Sequence, residues 1–181
     1  LEMRLNFYLR GLNKTEDPKA ENELVGPNGE IVGRVKNGRP KFFPDYYVIP
    51  MSLDKDNDAQ EAFNMIDYFK RNGVLVKELK EDIGNYKKGD LVIDMAQAKR
   101  GYANHILYKG SNESAWAAMY AELLVNFPDM RGFKSEPVFA DGLFNGKLGE
   151  VTTTRATRTS EIDPKAPYYV IANTSASAVK A

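Results

Sequence analysis

The chain has no cysteine, one histidine (His105), one tryptophan, and 25 basic side chains balanced by 25 acidic ones across 181 residues. Each shortage removes a class of chemistry. Without cysteine there is no disulfide scaffold, thiolate metal site or cysteine nucleophile. A single imidazole cannot build a two-histidine metal site within the chain, so no metal or other cofactor is expected in it. Zero net charge argues against a nucleic-acid footprint, and no nucleic-acid partner is expected. No apolar run approaches the roughly 18 residues of a membrane span. The start, Leu1-Glu2-Met3-Arg4, is charged at once and lacks the apolar stretch of a signal peptide.

What is present suits a packed core: 43% hydrophobic residues, with ten Tyr and nine Phe. Leu1, Leu5, Tyr8, Leu9 and Leu12 fall at helical spacing. Asn28-Gly29 between two β-prone runs (23–27 and 30–35) predicts a hairpin. Together these make a connector over residues 1–43. From residue 44 the texture becomes that of an α/β domain. Tyr46 to Ile49 is a continuous apolar run, as in a strand buried on both faces. Asp58 to Glu61 reads as a capping box, and Ala59, Ala62, Phe63, Ile66 and Phe69 form a helical stripe that Gly73 stops. Val74–Val76 and Leu91–Ile93 are the next strands. The order strand, helix, strand, strand predicts a βαβ unit and a mostly parallel open sheet flanked by helices, as in flavodoxin-like folds.

Further along, residues 98–107 predict a helix, and Trp116, Met119, Tyr120, Leu123, Leu124 and Phe127 a second one ended by Pro128. Strands are expected at 137–140 and 151–154, with a glycine-bearing loop at 141–149 between them. Tyr-Tyr-Val-Ile recurs at 168–171 and is expected to be another central strand. Ser175 to Ala181 reads as a helix cut after two turns. With the start on Leu1, this makes the sequence look like part of a longer protein.

Among polar motifs, Gly142-x-x-x-Gly146-x-x-Gly149 lacks a Gly-Lys-Ser/Thr and precedes a strand, so neither phosphate-loop geometry fits. Ser111 and Ser114 are helix-capping serines, and Arg155 and Arg158 lie on a hydroxyl-rich stretch that reads as a solvated face. The densest cluster, Asp94-Met95-Ala96-Gln97-Ala98-Lys99-Arg100, directly follows a strand. Strand C-termini line the ligand crevice of parallel sheets, which makes Asp94, Gln97, Lys99 and Arg100 candidate binding residues. His105 is the only base available, beside Asn104. Asp129 and Arg131 form a second cluster. Loop anchoring by charge-assisted hydrogen bonds is the competing reading of both clusters.

Asp45-Tyr46-Tyr47-Val48-Ile49-Pro50, Asn64 to Phe69 with Asn72-Gly73-Val74, Lys88 to Gly101, and Asn126-Phe127-Pro128-Asp129-Met130-Arg131-Gly132-Phe133 together carry a resemblance. They look like the region downstream of the catalytic domain in large bacterial zinc carboxypeptidase-like proteins, over residues 44–135 and more thinly over 166–181. The resemblance implies a non-catalytic accessory domain whose fold is similar to class I glutamine amidotransferase domains, truncated at its C-terminal helix. Its implied partners are the parent's peptidase domain and peptide or cell-wall material. Zinc is expected only in that catalytic domain. The family's His-x-x-Glu has no counterpart here, since His105 is followed by Ile106, Leu107 and Tyr108. Such proteins are commonly exported, so an extracellular or cell-surface location is expected. The alternative is a stand-alone small-molecule binder or enzyme using His105 with Arg100 or Asp94.

Overall fold

The structure is a computed structural model, and it describes residues 1–15, 28, 40–51, 59–109, 127–152 and 163–169. The elements in chain order are α1 (Glu2–Leu12), β1 (Tyr46–Ile49), α2 (Ala59–Arg71), β2 (Lys77–Leu79), β3 (Leu91–Asp94), α3 (Arg100–Leu107), α4 (Phe127–Arg131), β4 (Glu136–Val138) and β5 (Leu148–Gly149). No helix among the described residues is long and apolar enough to cross a membrane.

The five strands form one sheet in the order β4-β1-β3-β2-β5, and every pairing in it is antiparallel. This overturns the mostly parallel, flavodoxin- or amidotransferase-like sheet expected from the sequence. The expectation fails for a topological reason. β1 and β2 do run the same way and are joined through α2, as a βαβ unit requires. They are not neighbours, however, because β3 lies between them and runs against both. Residues 80–90 return the chain directly from β2 into β3 as a long hairpin connection, and β3 and β4, which also run the same way and are joined through α3 and α4, are held apart by β1.

Burial on both faces of the central strands was the other support for a parallel sheet, and it has a different cause here. Side chains alternate along β1 and β3. Tyr47, Ile49, Leu91 and Ile93 face Ala62, Met65, Ile66 and Phe69 of α2 and Ala103, Ile106 and Leu107 of α3. Tyr46, Val48 and Val92 face the opposite way, toward Leu79, Val138 and Phe144, with Ile83, Tyr86 and Leu143 packed around them. Helices therefore cover one face. The 80–90 connection and the 141–147 turns cover the other.

Individual elements follow local chemistry. α2 buries Ala62, Ile66 and Phe69 of the predicted stripe and half-buries Phe63, and its ends complement the helix dipole with Glu61 in the first turn and Lys70 and Arg71 in the last. Gly73, at φ +75°, ends it where the Gly73 N–H donates to the Lys70 carbonyl (3.1 Å) and the Val74 N–H to that of Phe69 (2.9 Å). The strand expected at 74–76 begins three residues later, at Lys77. The strand expected at 137–140 is β4, at 136–138. Val151 and Thr152 are in no strand, and Tyr168 and Tyr169 are exposed and likewise in none. The hairpin around Gly29, the cap at Asp58, the 116–126 stretch of the helix, Ser111, Ser114, Arg155, Arg158 and the segment 170–181 lie outside the described residues.

Candidate functional site

The candidates of the 94–100 cluster do not converge on one crevice. Asp94 pairs across the sheet with Tyr46 and so belongs to the turn-covered face. Its carboxylate accepts the Ala96 N–H at 2.8 Å, an Asx-type turn that ends the strand. Gln97 is 2% exposed. Its Nε2 donates to the carbonyl oxygens of Asp94 (2.6 Å) and Leu75 (3.3 Å), and its Oε1 accepts the Leu75 N–H at 2.9 Å. Lys99 places its ammonium 5.4 Å from the centre of the Tyr8 ring. Arg100 is 4% exposed. Its Nη2 donates to the Thr15 carbonyl at 2.5 Å, and its guanidinium lies 4.2 Å from the Phe43 ring centre.

These contacts dock α1 onto the start of α3. A methyl group at Gly11 would stand 2.4 Å from the Gln97 carbonyl oxygen, and one at Gly101 would stand 2.7 Å from the Phe7 ring. Glycine at both places is what allows the close approach. Phe7, Arg10, Gly11, Phe43, Arg100 and Gly101 enclose a cavity of about 30 Å³, the room of a single water.

His105 lies on the solvent side of α3, while Ala103, Asn104, Ile106 and Leu107 are buried. Asn104 instead accepts a hydrogen bond from the buried Tyr47 hydroxyl at 2.8 Å. Asp129 and Arg131 are exposed on α4. Arg131 pairs with Glu61 at 3.3 Å and lies over the Phe127 ring.

A polar cluster that sequence reasoning missed sits at the end of β1. The Lys14 ammonium lies 2.6 Å from Asp141, 3.5 Å from Asp45 and 5.0 Å from the centre of the Tyr46 ring. Lys41 reaches the same Asp45 oxygen at 2.6 Å. Burial works to lower the Lys14 pKa, but the Asp141 hydrogen bond and the charges of Asp94 and Asp45 outweigh it, and the net shift is upward. Burial raises the Tyr46 phenol and Asp94 raises it further, while Lys14 opposes both. The hydrogen bond from Lys14 holds the Asp141 carboxyl below its usual range. The charges compensate each other, and the cluster ties α1 to the 141–147 turns and to β1. Only Lys41 and Asp45, four apart, are adjacent enough in sequence to suggest it.

A third constellation joins α2 to α3. The Tyr102 hydroxyl and that of Tyr68 are 2.7 Å apart, and Tyr68 stacks on Phe127 at 5.7 Å. Burial and the shared hydrogen bond push the Tyr102 phenol up to about 12. Among the described residues no three His, Asp or Glu side chains gather as a metal site requires. Comparison with protein families, with curated proteins and with solved structures finds no match to this chain.

Proposed function

We propose that this chain is a non-catalytic accessory module that docks through one face of α1 onto the peptidase domain of an exported zinc carboxypeptidase-like protein. The two-sidedness of α1 is the observation that carries the docking. Gly11 and Phe7 are committed to Gln97 and Gly101. On the other side of the helix, Leu1, Leu5, Leu9 and Leu12 fall at spacings of four, four and three, with Leu5 55%, Leu9 43% and Leu12 49% exposed. An apolar stripe of this kind on a helix is a surface for a partner.

The choice of host rests on the quoted segments that resemble the peptidase-associated region. The parallel sheet implied by that resemblance is no part of the proposal. Packing rather than turnover is favoured by the bonding of Asp94, Gln97 and Arg100, whose side chains serve the backbone or the core. The small-molecule reading needs His105 in a pocket beside Arg100 or Asp94, and the solvent-facing position of His105 does not favour it.

The full reading frame is the first test, and an upstream His-x-x-Glu is expected in it. In that full-length protein, hydrogen exchange should show α1 protected. Leu5→Asp with Leu9→Asp should abolish the protection without changing zinc content, since burial of each leucine is worth about 1.5–3 kcal/mol. A frame without the motif, or a full-length protein in which α1 exchanges freely, sinks the proposal.

A further inference from the structure

Two Asn-Gly dipeptides lie within the described residues, Asn72-Gly73 and Asn145-Gly146, and in both the asparagine is exposed. Exposure does not distinguish them, but hydrogen bonding does. The Asn72 amide donates from Nδ2 to the Tyr68 carbonyl at 2.8 Å, and the Gly73 N–H donates to the Lys70 carbonyl at 3.1 Å. Both the group that would leave and the nitrogen that would attack are held by the end of α2. At the second site neither is held: among the described residues, the Asn145 amide and the Gly146 N–H have no hydrogen-bond partner. Gly146 sits at φ +73° in a turn, where a side chain at its Cα would meet nothing within 4 Å, and as a glycine it puts no bulk beside the attacking nitrogen.

We infer that Asn145 is a self-modification site, at which the chain deamidates through a cyclic imide, and that Asn72 is protected. The Gly146 nitrogen loses its proton and attacks Asn145 Cγ. The new N–C bond replaces the Cγ–Nδ2 bond, and ammonia leaves, carrying the proton. Water then opens the five-membered imide at either carbonyl. One opening leaves Asp at 145. The other leaves isoaspartate, with the chain routed through the side-chain carbon. No oxidant, reductant or enzyme is required. The product adds a negative charge four residues from Asp141, which pairs with Lys14. The isoaspartyl form also lengthens the backbone beside Phe144, which is fully buried between Tyr46 and Tyr86.

Ageing the purified protein in mildly alkaline buffer tests this. Tryptic peptides 135–147 and 72–77 separate the two sites, and mass spectrometry with fragmentation reads amide loss and isoaspartate in each. The native protein should deamidate about tenfold faster at 145 than at 72, since the two hydrogen bonds at 72 each slow the step several-fold. The same protein in concentrated urea should lose most of that difference. Asn145→Gln should remove the modification from peptide 135–147. Equal or faster loss at Asn72 in the native protein overturns the inference, as does an Asn145 that stays intact in the folded chain. A difference that persists undiminished in urea also overturns it, because flanking sequence would then set the rates.

Discussion

The Gln97 side chain meets the N–H and C=O of Leu75 as the backbone of a neighbouring strand would, while also binding the Asp94 carbonyl. This explains how 74–76 can stay outside the sheet: a side chain supplies to Leu75 the pairing that a strand supplies to 77–79. The residue type was legible in the sequence as a polar group after a strand, but its target was not, since Leu75 is 22 positions away and nothing local points to it. Gln97→Ala leaves those backbone groups to find water in a partly buried setting. The expected loss is about 2 kcal/mol of unfolding free energy, read as a lower urea midpoint at unchanged slope. A ligand-binding role for Gln97 without a structural one would leave the midpoint where it is.

At the scale of elements, the strands at 46–49 and 91–93 and the helix stripe of 62–69 were readable because their apolar spacing is local, whereas the same four letters from Tyr168 begin no strand. Pairing direction was not. A continuous apolar run states that both faces are covered and is silent about what covers them. α1 shows the same limit: its helical spacing was plain, but the face it docks is set by Gly11 and Gly101, which no periodicity marks. Gly11→Ala puts a methyl group against the fixed Gln97 carbonyl. It should cost about 1–3 kcal/mol, and the loss should be confined to α1. Trypsin cleavage at Arg4 and Arg10 should accelerate while the core's unfolding midpoint holds. If the core midpoint falls in step with cleavage, α1 is part of the cooperative unit rather than a docked arm.

On the scale of the whole molecule, one sheet separates two apolar layers, and among the described residues helices pack against one of them and turns close the other. Phe144 is its plug. The ring is fully buried and meets Tyr46 edge-to-face at 4.9 Å and Tyr86 at 5.4 Å. The glycine-bearing stretch around it looks like an ordinary loop, since a single aromatic among Gly142, Asn145 and Gly146 has no periodicity to reveal it. If these turns are a structural layer, Phe144→Ala should cost as much as Phe69→Ala on the helical face, about 3–5 kcal/mol for either. Domains of this size have about 5–15 kcal/mol in total, so both variants should lose a large share of their stability in urea unfolding followed by circular dichroism. The comparison isolates the claim. A Phe144→Ala loss far below that of Phe69→Ala would mean that the turn-covered face contributes little and that the helical layer holds the sheet alone. Comparable losses would mean that the face covered by the 80–90 connection and the 141–147 turns holds the sheet as firmly as the helical face does.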